Sequence, residues 1–283
     1  MIAGAETIGA ISIVRREAAA FGEGEVELLS LLGRLVGSAV QNMRAYEAER
    51  TTVEELRKLS ALRADFVSLV SHELRTPMAS VIGSARTLQQ RWRELSPDQR
   101  ESFLALIAHE TSRLAELIGD VLDTSRIEAG TFSYAFGDVD LGELVRDTAA
   151  AAEHGQDEVA VEAVVRDPLP AVRGDRDRLR QVLVNLIDNA VKYSPPGDSV
   201  HVEAASMDAK VVVEVRDRGP GISPEHQVVI FEKFGRVDVG EHAKPGTGLG
   251  LFIARSIAEA HGGSLEVRSA PERGATVRLS LPV

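Results

Sequence analysis

Ser71-His72-Glu73-Leu74-Arg75-Thr76-Pro77 sets an imidazole beside a carboxylate within a helical pattern. A neutral imidazole nitrogen is a nucleophile near neutral pH, and an adjacent carboxylate can take the proton from the other ring nitrogen. Neighbours on a helix stand about 100° apart, so one projects outward while the other stays beside it. Thr76 follows His72 by four residues, which places its hydroxyl on the same face. Pro77 lacks an N–H and clashes with the carbonyl of Glu73. A proline inside a helix costs about 3 kcal/mol, so its position predicts a bend with a purpose at the turn of His72.

Three further strings lie downstream. In Asn185-Leu186-Ile187-Asp188-Asn189-Ala190-Val191-Lys192-Tyr193, the two asparagines share one helix face. Amide oxygens suit Mg²⁺, which keeps several waters and completes its shell with phosphate oxygens. Lys192 can reach the same phosphates. Asp217-Arg218-Gly219-Pro220-Gly221 follows the alternating run KVVVEVR. A carboxylate on the apolar face at a strand end is expensive unless paired, and an adenine amine is a natural partner. Gly219 and Gly221 let the backbone approach a flat ring. Gly246-Thr247-Gly248-Leu249-Gly250-Leu251 precedes a helical run, and its glycines put backbone N–H groups where phosphates bind. It is neither a Walker A loop, since no Gly-Lys-Ser/Thr follows, nor a Rossmann fingerprint, since no strand precedes it. The polar stretch 235–245 reads as a lid over a ligand.

These strings need elements to hold them. IGAISIV at 8–14 reads as a strand, and Val26, Leu28, Leu29, Leu32, Leu35, Val36, Val40 and Met43 recur at helical spacing. Leu59, Leu62, Phe66 and Leu69 recur as a coiled-coil seam. The periodicity continues through Leu74, Met78, Val81, Ile82, Ala85, Leu88 and Trp92. A second helix opens at Ser96-Pro97-Asp98-Gln99, a capping box with proline in the first turn, and closes at Gly130. Its stripe is Phe103, Ile107, Leu114, Leu117 and Val121, with the polar Glu110 in phase. One such hairpin cannot cover its own stripe, so two are expected to pair as a dimeric four-helix bundle. Beyond residue 131, strands are expected at 132–136, 159–165, 199–206, 210–217, 264–269 and 275–281. Helices are expected near 140–153, 175–193, 223–230 and 248–261, making an α+β sandwich.

Composition narrows the function. The 283 residues carry 32 Lys+Arg against 43 Asp+Glu, a formal charge of −11, which does not support a nucleic-acid binder or a polybasic membrane anchor. Cysteine is absent, which removes disulfides, thiolate metal sites and cysteine nucleophiles. Aromatics are 4%, too few for base-stacking platforms. No apolar run reaches the roughly 20 residues of a membrane span, and no signal-peptide layout opens the chain. A cytoplasmic protein is expected. The other six histidines, including His261 before Gly262-Gly263, show no metal spacing.

In this order the four strings, with Ile230-Phe231-Glu232-Lys233-Phe234-Gly235-Arg236, resemble the five sequence boxes of sensor histidine kinases of two-component systems. The resemblance covers about 60–283. It implies a dimerisation and phosphoacceptor hairpin at 60–130 and, at 131–283, the ATP-binding domain shared with gyrase, Hsp90 and MutL (GHKL type). Residues 46–59 would be a coiled-coil signalling helix, and 1–45 resemble the end of a GAF-like sensor domain. By the same resemblance His72 accepts the phosphoryl group, Glu73 is the base and Thr76 assists dephosphorylation of a partner. Asn189 is the main Mg²⁺ ligand with Asn185 beside it. Asp217 reads adenine, Tyr193 packs near the base and Lys192 faces the phosphates. Gly219, Gly221, Gly246, Thr247, Gly248, Leu249 and Gly250 line the ATP site, Phe231 and Phe234 anchor the base of the lid, and Arg236 meets the γ-phosphate or the bundle. The implied partners are a second copy of the chain and a response-regulator receiver domain. Two other readings stay open: a relay without enzymatic activity, and an ATPase of the gyrase class that would leave the His72 string without a role.

Overall fold

The computed structural model describes residues 2–3, 6–7, 14, 22–153, 159–166, 168–236 and 246–283. All but Val14 of the strand expected at 8–14, and all but Gly235 and Arg236 of the stretch 235–245, lie outside them. The chain divides into two units, Met1–Ser68 and Leu69–Val283.

In the first unit, β1 (Ile2–Ala3) pairs antiparallel with β2 (Glu6–Thr7). Helix α1 (Glu23–Arg91) begins here. Its apolar residues Val26, Leu28, Leu35 and Met43 are all more than half exposed (54%, 56%, 59% and 59%), so no second layer covers them among the described residues. The side chains of the seam at Leu59, Leu62, Phe66 and Leu69 lie outside the description.

In the second unit, α1 runs through Pro77 without a break. Helix α2 (Pro97–Glu128) opens on the expected capping box: the Gln99 N–H donates to Ser96 Oγ at 3.2 Å and the Ser96 N–H to Gln99 Oε1 at 2.9 Å. Gly130, at φ +65°, closes it.

The remainder comprises β3 (Gly137–Val139), α3 (Leu141–Glu153), β4 (Ala160–Val165), β5 (Val172–Gly174), α4 (Arg176–Tyr193), β6 (Ser199–Met207), β7 (Lys210–Arg216), α5 (His226–Val229), α6 (Gly250–Ala260), β8 (Ser264–Ser269) and β9 (Ala275–Pro282). The main sheet has the order β4-β6-β7-β9-β8. Helices α3, α4 and α6 pack on it. Leu144, Leu179, Leu183, Ile187, Ile253 and Ile257 meet Val200, Val213, Leu279 and Leu281, all fully buried. Each contributes about 1.5–3 kcal/mol. On β7 and β9, Glu214 and Arg278 stand opposite each other and form an ion pair.

Two details, at 132–136 and at β5, differ from expectation, and the pairing of β4 is one the sequence pattern leaves unspecified. Strand β4 runs parallel to β6, because α4 makes the crossover between them. The segment 132–136 is not a strand: the ladder forms one step later, where β3 pairs with β5. Its aromatic alternation instead clusters side chains, with Tyr134 and Phe136 against His261 (5.5 and 4.9 Å) and Phe132 beneath the Arg178 guanidinium (4.3 Å). Strand β5 has three residues, too few to show a period.

Asp175 caps α4 through the N–H groups of Asp177 and Arg178, and its second oxygen accepts from Ala135 at 2.7 Å. Burial works to raise this carboxyl, but the backbone donors outweigh it and hold it below the usual range. The hairpin is fastened to the sandwich at the end of α2. Asp123 accepts from Arg178 at 3.1 Å and from Gln181 at 3.0 Å, and Glu128 pairs with Lys233.

Candidate functional site

Helix α4 turns Leu179, Val182, Leu183, Leu186, Ile187 and Ala190 into the core. The 3.6-residue period leaves Asn185, Asn189 and Lys192 facing a cavity of about 280 Å³. The half-buried Asn185 donates from Nδ2 to the carbonyl of Gly250 at 3.0 Å, which leaves its amide oxygen for a cation. Asn189 is half-buried as well. Among the described residues no cluster of three His, Cys, Asp or Glu side chains could hold a metal. The donor set here, two amide oxygens beside a place for phosphates, suits Mg²⁺ with its waters retained.

On the opposite wall, Val211, Val213 and Val215 share one buried face of β7, with Val212 buried on the other, and Asp217 continues the phase of the first three. One oxygen of Asp217 accepts from the N–H groups of Gly219 (2.8 Å) and Ala275 (3.0 Å). The other remains for an outside donor. Burial raises its pKa above the usual range, and those two backbone N–H groups pull the other way. Gly221, at φ +72°, would bring a Cβ within 1.9 Å of the Ala270 carbonyl, so only glycine fits the turn beside the cavity.

The third wall joins two sequence-distant strings. The Phe234 N–H donates to the Gly248 carbonyl at 3.2 Å, and Phe234 itself stands at φ +66°, a strained setting for an aromatic residue. Gly235, Arg236, Gly246, Thr247, Gly248 and Gly250 reach the cavity.

Of the predicted ligand-site residues, Asn185, Asn189, Lys192, Tyr193, Asp217 and Gly221 line the cavity, as do Arg236, Gly246, Thr247, Gly248 and Gly250. Four do not. Leu249 and Phe231 are core residues, 0% and 6% exposed. Phe234 braces the Gly248 turn, and Gly219 lies behind Asp217, where a Cβ would meet the Tyr193 carbonyl at 2.9 Å. The pattern did not reveal Ile222, Ile230, Ala275 and Val277, which line the apolar part. Ala275 and Val277 arrive through the pairing of β9 with β7, which leaves no mark in local sequence. Nor did it reveal Asp188, raised by burial and then by Glu116, or Asp120 of α2. Asp120 is pushed up to about 6 by burial, then by Asp123 and Glu116.

The histidine lies apart, on α1. The His72 side chain is 73% exposed and its neighbour Glu73 10%, with Nδ1 3.8 Å from Glu73 Oε1. Arg113 of α2 holds the other Glu73 oxygen at 3.5 Å. The Thr76 hydroxyl donates back to the His72 carbonyl at 3.4 Å. The hairpin thus offers an accessible imidazole with a carboxylate anchored from the facing helix.

Comparison with known proteins gives two family matches. Residues 62–130 match the His Kinase A (phospho-acceptor) domain. Residues 174–283 match the histidine kinase-, DNA gyrase B-, and HSP90-like ATPase family. Sensor protein SrrB of Staphylococcus aureus is 33% identical over 226 residues, covering 79% of this chain and 39% of SrrB. The chain thus spans about two fifths of the curated relatives it matches. Among solved structures, full-length ShkA in complex with AMPPNP aligns with a TM-score of 0.56 and 32% identity, over 77% of this chain and 45% of that one. Histidine kinase ThkA in complex with the response regulator TrrA aligns with a TM-score of 0.57 and 27% identity, over 84% and 65%.

Proposed function

The chain belongs to the histidine kinases, and from that premise we propose that it moves the γ-phosphoryl group of ATP to His72 and then to an aspartate of a response-regulator receiver domain. The observation that carries this reading is the pairing, in one chain, of an exposed imidazole beside an anchored carboxylate with a cavity whose walls suit adenine and a metal–phosphate group. The ligands named in the ShkA and ThkA complexes, a nucleotide analogue and a response regulator, support the two ends of that path.

The chemistry follows from the residues. Asp217 accepts from the adenine amine with its second oxygen, and Tyr193 packs near the base. Asn189 and Asn185 hold Mg²⁺, which neutralises phosphate charge, while Lys192 and Arg236 face the phosphates. With Glu73 near Nδ1, the other ring nitrogen of His72 attacks the γ-phosphorus. A P–N bond forms, the P–O bond to ADP breaks, and the Nδ1 proton passes to Glu73.

The hairpin at 60–130 is the phosphoacceptor domain in this reading, 131–283 the ATP-binding domain, 46–59 a signalling helix and 1–45 a sensor-like segment. Met78, Ile82, Ile118 and Leu122 are about half exposed (51%, 45%, 50% and 50%), an apolar face that a second copy of the hairpin would cover. Among the described residues no helix is long and apolar enough to cross a membrane. In this reading, ATP as donor and a receiver domain as partner would put the reaction in the cytoplasm.

Incubation with γ-labelled ATP and Mg²⁺ tests the proposal. Acid-labile, base-stable label on the protein is expected. Release of inorganic phosphate without protein label would instead favour a simple ATPase, and absence of both would favour a non-enzymatic relay.

Two consequences follow at single residues. Asp217→Asn is expected to weaken ATP binding at least about tenfold, a loss of about 1.4 kcal/mol, with little change in Tm. An amide can turn its NH₂ toward the adenine amine. Calorimetric titration of both proteins checks this, and equal affinities refute the adenine contact. Thr76→Ala is expected to leave labelling of His72 within about twofold and to slow dephosphorylation of the regulator about tenfold or more. A hydroxyl one turn beyond His72 can hold an attacking water in line. If both rates fall together with Tm, Thr76 only supports its helix.

A further inference from the structure

Three carboxylates on the last turns of α2 face the sandwich domain, and they differ in kind. Asp123 is held by Arg178 and Gln181, and Glu128 by Lys233. Asp120 makes no hydrogen bond or ion pair among the described residues, yet it lines the nucleotide cavity. It is the hairpin's only contribution to the described wall. With it, the lining carries the carboxyl groups of Asp120, Asp188 and Asp217 against the cations Lys192 and Arg236. Without the hairpin the two signs would balance. An anionic phosphate chain therefore meets a less favourable cavity while α2 is in place.

We propose that Asp120 is a charge gate which the hairpin inserts into the nucleotide cavity, opposing the phosphate chain so that a triphosphate binds more weakly while the two domains hold this contact. The proposal rests on the reading of the cavity as a nucleotide site. Coupling is reciprocal, so a bound triphosphate loosens the hairpin contact by the factor that the contact weakens binding. A metal-ligand role for Asp120 predicts the opposite sign.

Calorimetry on the full chain at pH 8, with Mg²⁺ and either AMP-PNP or adenosine, tests the gate with Asp120→Asn and, as a second neutral variant, Asp120→Ser. Asp120 is charged at that pH. Both variants are expected to bind AMP-PNP about three- to tenfold more tightly than the parent. Adenosine, which has no phosphate, should bind all three alike. The AMP-PNP gain should shrink at high salt, as a screened charge requires. Unchanged AMP-PNP affinity overturns the gate, and weaker AMP-PNP binding overturns it in favour of a metal ligand. If the parent binds neither compound, the nucleotide reading fails and the gate with it. Parent binding of AMP-PNP that matches both variants removes the gate alone.

Discussion

His72→Gln is expected to abolish protein labelling by γ-labelled ATP, to background and at least about 10³-fold below the parent. Glutamine keeps the size and polarity of the side chain but has no basic nitrogen to attack phosphorus. The substitution is mild for the fold, because the side chain is 73% exposed and its nearest charged partner stands 3.8 Å away. Surface changes of this kind usually shift stability by no more than about 0.5 kcal/mol. ATP affinity should be unchanged, since His72 lies outside the cavity wall. Labelling, calorimetry and melting on one preparation separate the alternatives. Label at the parent level would move the acceptor elsewhere, and lost ATP binding would make the effect indirect.

Asn189→Ala is expected to lower the labelling rate at saturating ATP about 10²-fold or more, with the fold retained. A γ-phosphorus displaced by even about 1 Å from its line to the nucleophile loses about that factor. The defect should be metal-linked: raising Mg²⁺ should recover part of the rate, whereas raising ATP alone should not. Asn189 is half-buried on α4, and its core-facing neighbours Leu186, Ile187 and Ala190 are untouched, so Tm should move little. A rate equal to the parent's at every Mg²⁺ concentration would place the metal on other ligands.

Local chemistry was legible wherever one element supplied the whole group. The capping box at Ser96 and Gln99, the alternation of Val211, Val213 and Val215, and the shared face of Asn185 and Asn189 each depend on a fixed helical or strand period. The sequence therefore determined the helical hairpin, the sandwich domain, the exposed histidine and most of the polar cavity wall. Its misses have a common cause. FSYAF alternates as a strand does, but ladder formation needs a partner in register, and β5 pairs with 137–139 instead. Resemblance alone puts Phe231 and Phe234 at the ligand site, as the base of its lid, and resemblance does not say which way a side chain packs. Packing against the core decided otherwise for Phe231, and the bond to Gly248 for Phe234. Ala275 and Val277 enter the cavity only because β9 pairs with β7. Asp120 enters only because Asp123 and Glu128 fasten α2 to Arg178, Gln181 and Lys233. Periodicity specifies which face of an element is apolar or charged. Which other element meets that face is set by contacts between residues far apart in the chain, and those the tertiary structure alone decides.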